Sequence, residues 1–148
     1  VVEQIEKPGN LGTLLRGCDA TGISGLIISD PVTDIFNPNV VRASTGALFS
    51  TPVAVCKNSQ ETIDWLKNNK VKIFSTTPHT ENIYWDSNFK PGGPIAIIAG
   101  AEQYGLTELW LKESDELIKL PMEGSADSLN IAVSSIVCLY EVLRQRSQ

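Results

Sequence analysis

Histidine is nearly missing from this chain: His79 is the only one. A Ser-His-Asp relay would have to be built on it, and it sits in a polar stretch, "TTPHTEN", so hydrolase chemistry of that kind is set aside. Cysteine is sparse. Cys18, Cys56 and Cys138 are odd in number, far apart and at no ligand spacing. That excludes a disulfide framework and a zinc site, and it suits a reducing, cytoplasmic setting with three small buried hydrophobes. No His/Cys/Asp cluster supports a metal. No apolar run approaches the roughly 20 residues that span a bilayer, and no signal peptide is visible. Positive charge is in deficit: 12 Lys and Arg against 17 Asp and Glu leave a net charge of −5 and a pI of about 4.8. Broad electrostatic attachment to nucleic acid is thereby disfavoured, which leaves a local basic patch. Nucleotide fingerprints are missing too. "GNLGTLLRG" is not GxGxxG and there is no Walker A sequence, so a Rossmann-type nucleotide enzyme is disfavoured.

What is present is the pattern of one ordinary domain. The chain has 148 residues, 42 % of them hydrophobic and 20 % charged, which suffices for a core of normal proportions. Short apolar runs alternate with helical patterns. "VVEQI" at the start, "GLIIS" (25–29), "PVAVC" (52–56), "VKIFST" (71–76), "PIAIIAG" (94–100) and "ELIKLP" (116–121) read as strands. Helices are expected from Asn10 to Ala20, with Asn10 as cap and Gly22 as stop, and over 37–44 with Pro38 near the start. Others run from Ser59, as cap, to about Asn69, over 106–111, and from about Ser128 to Arg146. This alternation predicts an α/β fold, a mostly parallel sheet covered by helices on both faces. The irregular stretch 77–93 is too long for a plain connection and reads as functional or mobile. Val1, not Met, opens the chain on what already reads as a strand, so 1–148 is expected to be the C-terminal domain of a longer protein.

The last helix has two apolar sides. Leu129, Ala132, Val133, Ile136, Val137, Leu139, Tyr140 and Leu143 form a broad arc, which is expected to pack on the sheet. Ile131, Cys138 and Val142 form a second patch, open to a second subunit or to a neighbouring helix of the same chain. Asn130, Ser134, Glu141 and Gln145 make a polar stripe between them. Asn130 falls inside the expected helix, where Asn is a poor former.

In open parallel sheets, ligands bind beyond the carboxyl ends of the strands. Three such ends run into unusual loops, "TTPHTEN", "GAEQYGL" and "PMEGSADSLN". The polar residues left over are Asn10, Arg16, Glu102, Ser128 and Asn130. Taken singly, Arg16 reads equally as a surface or salt-bridging arginine, and Glu102 as a solvated loop acid.

Taken together, these stretches resemble the SpoU/TrmH-type RNA ribose 2′-O-methyltransferases of the SPOUT superfamily. "EKPGNLGTLLRGCDATG" supplies the Asn, Gly and Arg of a first motif as Asn10, Gly12 and Arg16. "VVRASTGALFSTPV" (40–53) resembles a connecting pattern of the family. "IIAGAEQYGLTELWL" (97–111) and "LPMEGSADSLNIAVSSIVCLYE" (120–141) follow in order as the second and third motifs. Ala101 and Gln103 depart from the family's usual residues in the second. The resemblance implies a SPOUT fold with a C-terminal trefoil knot, and a homodimer packed partly through the last helix. It implies S-adenosylmethionine as methyl donor, S-adenosylhomocysteine as product, and no metal. The cofactor would touch Thr76, Ala99, Gly100, Glu102, Ile118, Leu120, Met122, Ser128 and Leu129. The implied catalytic set is Arg16, Asn10, Glu102, Ser128 and Asn130, with Arg16 and Arg42 toward RNA. Guanidinium has a pKa above ~12 and no acceptor lone pair, so Arg16 fits phosphate grip and alkoxide stabilisation better than a base. The expected reaction is methyl transfer to a ribose 2′-hydroxyl of tRNA or rRNA. The alternative is an inactive RNA-binding relative of the same fold.

Overall fold

In the computed structural model, residues 1–90 and 92–147 are described. Six short strands form two ladders, and every pairing is parallel. β1 (Val2–Glu3), β2 (Leu26–Ser29) and β3 (Val53–Cys56) make one. β5 (Ile95–Ile98), β4 (Lys72–Thr76) and β6 (Glu116–Ile118) make the other. The two are stitched where β1 lies beside β5: the Glu3 amide donates to the Ala99 carbonyl at 2.9 Å and the Ala99 amide to Val1 at 3.0 Å. The strand order across the molecule is therefore β3-β2-β1-β5-β4-β6.

Parallel neighbours require crossovers, supplied by α1 (Pro8–Thr21), α2 (Pro38–Ser44), α3 (Ala47–Ser50), α4 (Ser59–Asn68) and α5 (Glu108–Glu113), with α6 (Ile131–Arg146) closing the chain. Pro8 and Pro38 pre-set the first turns of α1 and α2, and Gly22 ends α1 in the left-handed region. One apolar core fills the space between α1, α2, β1 and β2 around Leu11, Leu14, Leu15 and Ile28. A second gathers Ile63, Ile73, Ile98 and Trp110. A third gathers Phe74, Phe89, Ile118 and Cys138.

The expected strands and helices are all there, with shifted ends and two additions, α3 and a single 3-10 turn over Tyr84–Asp86. β1 stops at Glu3 because Gln4 turns out of the strand at φ 52°. Lys7, not Asn10, is the N-cap of α1, and Asn10 lies in the first turn. Asn58, not Ser59, caps α4, its side chain accepting from the Glu61 amide. α3, too short to carry a period, was not foreseen. The last helix begins at Ile131, not Ser128, and Asn130 is its N-cap, accepting from the Ala132 and Val133 amides. Asn130 is thus where Asn is favoured, not inside a helix.

Both apolar sides of α6 are partly buried within the chain: Ala132 and Leu139 of the broad arc enter the core and Ile136 lies against Gly17 of α1, while the second patch is covered by the chain itself. Cys138 and Val142 pack against Phe74, Phe89 and Ile97 of the chain's own sheet side, and Ile131 enters the α1 core. Val133, Tyr140 and Leu143, assigned to the sheet, face outward. The hydrophobic arc was wider than the sheet can cover, and period alone does not say which part is buried. The stretch 77–93 is tethered: Glu116 accepts from Asn82 and Ser87, and buried Gln145 bonds the Phe89 amide and the Ser87 carbonyl. Pro91 of that stretch lies outside the described residues.

Candidate functional site

Connections from β1 run toward β2, whereas those from β5 run toward β6, on the other side of the sheet. The β1/β5 junction is therefore a topological switch point, the place where a cleft opens above the carboxyl ends of a parallel sheet. The loop after β1 leads into α1, and the loop after β5 leads into α5.

Three residues from distant motifs meet there. The Asn10 amide donates to one Glu102 oxygen, across a separation of 92 residues. The Asn130 amide nitrogen donates to the Asn10 carbonyl oxygen at 2.9 Å, across 120 residues. The Asn130 oxygen meanwhile caps α6, so the last link is fixed to a rigid element. Lys7 completes the chain from the other end, its ammonium 2.8 Å from the second Glu102 oxygen. Its hydrogen bond to Glu102, and that carboxylate's charge, raise the Lys7 pKa. Lys7 was missed in the sequence because a lysine beside a proline carries no pattern of its own.

The 100–106 loop is folded tightly on itself. The Gly105 amide donates to the Ala101 carbonyl at 2.8 Å. A Cβ on Gly100 would lie 2.3 Å from the Gly105 carbonyl carbon and the Leu106 nitrogen, so only glycine allows this closure. Beside it runs the 120–129 segment. Among the described residues, this segment makes no hydrogen bond through its backbone, and Leu120 and Met122 are half-buried beside it. Unpaired N–H and C=O groups next to apolar walls are what a flat heteroaromatic ring with a polar edge requires.

Other expected site residues stand differently. Ala99 and Ile118 are buried, and both Ala99 backbone groups are paired with β1, so these two form floor rather than wall. The Thr76 hydroxyl is turned to the Ile98 carbonyl at 3.0 Å. Ser128 and Leu129 are exposed at the entry to α6. Arg16 and Arg42 are exposed, and among the described residues neither forms an ion pair. Arg16 is six residues beyond Asn10, about 9 Å along the helix and on a different face. It shares its face with Gly12, packed on Ala43 of α2, and with Asp19, which accepts from Ser50 of α3 at 2.7 Å. The structure therefore joins Asn10, Glu102 and Asn130, and does not bring Arg16 into their hydrogen-bond chain. His79 is exposed. No cluster of metal-ligating side chains occurs among the described residues, and none of their helices is long and apolar enough to cross a membrane.

Comparison with known proteins places this arrangement. A family model described as the SpoU rRNA Methylase family matches residues 1–140. The chain is 35 % identical over 145 residues to a 23S rRNA (uridine(2479)-2′-O)-methyltransferase of Streptomyces viridochromogenes, covering 95 % of this chain and 50 % of that protein. It is 36 % identical over 146 residues to a putative TrmH family tRNA/rRNA methyltransferase of Staphylococcus aureus (strain COL), covering 99 % of this chain and 58 % of that one. It spans about half the length of these relatives. A crystal structure of an RNA 2′-O ribose methyltransferase superposes with a TM-score of 0.90 at 40 % identity, over 100 % of this chain and 57 % of that one. The SpoU methyltransferase AviRb from Streptomyces viridochromogenes, solved in complex with the cofactor AdoMet, superposes at 0.90 with 34 % identity, over 97 % of this chain and 58 % of that one. The chain belongs to the SpoU rRNA methylase family.

Proposed function

We propose that this protein transfers the methyl group of S-adenosylmethionine to a ribose 2′-hydroxyl of tRNA or rRNA, with residues 1–148 acting as one catalytic domain in the cytoplasm. The observation that carries the reading is the hydrogen-bond chain Glu102–Asn10–Asn130, which draws three separated motifs together at the switch point.

The residues fit the cofactor. Gly100, the 101–105 backbone and the unpaired backbone of 120–129 would hold the adenosine part, with Leu120, Met122 and Leu129 as apolar walls and Ser128 at the rim. Bound there, S-adenosylmethionine supplies a methyl group already activated on a sulfonium, and the reaction calls for no metal. The protein's task is position. Reactants held in line gain effective molarities of roughly 10⁵–10⁸ M. Glu102 and Asn10 fix the loop, and Asn130 fixes both to α6. Arg16 and Arg42, cationic and solvent-facing, grip the RNA phosphate, and Arg16 stabilises the negative charge that develops on the 2′-oxygen as its proton is released to solvent. Recognition of the 2′-hydroxyl makes RNA, not DNA, the substrate.

Two structural features belong to the same reading. The chain leaves β6 at one edge of the sheet and returns past β4 and β5 to pack α6 against α1; we infer that this return is threaded as a trefoil knot. The outward face of α6, with Val133, Tyr140 and Leu143 exposed, is the surface through which two copies form a homodimer.

The test is calorimetric. Titration of the purified protein with S-adenosylmethionine should give saturable binding, and incubation with total tRNA or rRNA should leave ribose methylation mapped to one nucleotide. Binding to RNA with no heat from the cofactor would instead identify an inactive relative.

A further inference from the structure

We propose that Glu3 is a positioning residue for the methyl donor, gripping both ends of the 100–106 loop; the inference rests on the functional reading given above. Its backbone N–H donates to the Ala99 carbonyl at the loop's entrance, at 2.9 Å. Its carboxylate accepts from the exit: the Thr107 amide reaches Oε2 at 2.9 Å and the Thr107 hydroxyl reaches Oε1 at 2.8 Å. Thr107 is the N-cap position of α5, so the same contacts set where that helix begins.

The burial of this acid calls for such a role. Glu3 is 1 % exposed. A buried carboxylate is costly unless its oxygens are hydrogen-bonded, and apolar packing of equal volume often stabilises as well or better. Here Thr107 meets both oxygens, and the single Ser59 hydroxyl proton is shared between Glu3, at 2.7 Å, and Asp30, at 2.6 Å. Ser59 is itself held by the indole N–H of fully buried Trp110, at 3.0 Å, and its own amide donates to Asp30 at 3.0 Å. Loop, α5 and α4 are thereby tied to one point on β1. The next residue, Gln4, turns out of the strand with φ 52°, a conformation that costs a non-glycine residue energy and holds only where surroundings impose it. The cleft's second loop is thus fixed at its apex by Asn10 and Lys7, and at its two ends by Glu3.

Substitution Glu3→Gln keeps the shape but points an amide donor at donors. It should weaken S-adenosylmethionine binding roughly tenfold, as loss of a charged hydrogen bond does. Amide hydrogen exchange should quicken over 100–107 and stay unchanged in β2 and β4. Thr107→Ser keeps the hydroxyl and should match wild type, whereas Thr107→Val should behave like Glu3→Gln; this pair decides the matter if Glu3→Gln fails to fold. Wild-type affinity in both Glu3→Gln and Thr107→Val, or exchange that rises evenly through the molecule, overturns the assignment. A wild-type protein that binds no S-adenosylmethionine overturns the functional reading instead, and the assignment to a methyl donor with it.

Discussion

At the scale of single residues, the polar set divides into side chains that hold one another and side chains that face solvent. Asn10, Glu102 and Asn130 are mutually satisfied. Arg16 is exposed and forms no ion pair among the described residues. Arg16→Ala should therefore leave the fold and cofactor affinity within about twofold while lowering methyl transfer by about 10²-fold or more, the scale seen when a group that stabilises developing charge is lost. Single-turnover assays beside calorimetry separate the two effects; full activity would remove Arg16 from the mechanism. The polar set was legible in the sequence because short polar residues and a lone acid stand out in glycine loops and at helix starts. Their pairing was not. A hydrogen bond across 120 residues leaves no local trace, and neither Lys7 nor Glu3 sits in a pattern that marks it.

At the scale of elements, close approach does the positioning. The Cβ that Gly12 lacks would lie 2.4 Å from the Ala43 Cβ, and that of Gly17 would lie 2.2 Å from Ile136. α1 can touch both α2 and α6 only because it carries glycine at each contact. Gly12→Val should force α1 from α2 and cost about 1–3 kcal/mol, the usual range for overpacking. Denaturant unfolding gives that cost, and an unchanged midpoint would show that the contact yields freely. Helix and strand existence followed from periodicity and from Pro, Gly and Asn at the ends. Boundaries followed less well: Asn58 outcompetes Ser59 as a cap because its side chain reaches the Glu61 amide. The arc of α6 was read too broadly because apolar residues lie on more than one side of it, and the positions of α1 and the sheet decide which of them are buried.

At the scale of the whole molecule, alkaline stability follows from two buried thiols. Burial pushes Cys18 up to about 11 and Cys138 up to about 12, from 9.0. Each thiol is held neutral in the fold, so its contribution is intact below pH 9 and is lost as pH rises toward those folded values. Thermal stability should therefore fall above pH 9, and the Cys18→Ala/Cys138→Ala protein should show a flatter alkaline limb from a lower plateau. Equal slopes would place the loss elsewhere. The parallel α/β architecture was legible from alternation alone. The junction of the two ladders was not, because β1 contributes only two residues to it.

That junction has a consequence for how the protein is made. β2 and β3 can pair with β1 as soon as they leave the ribosome, but β5 follows some 70 residues after β2, counting from Leu26 to Ile95, and the cap of α6 later still. A nascent chain halted before Asn130 lacks the last link of the Glu102–Asn10–Asn130 chain and the Ile131 and Ala132 side chains that complete the α1 core, so truncated translation products should lack the joined loops at the junction.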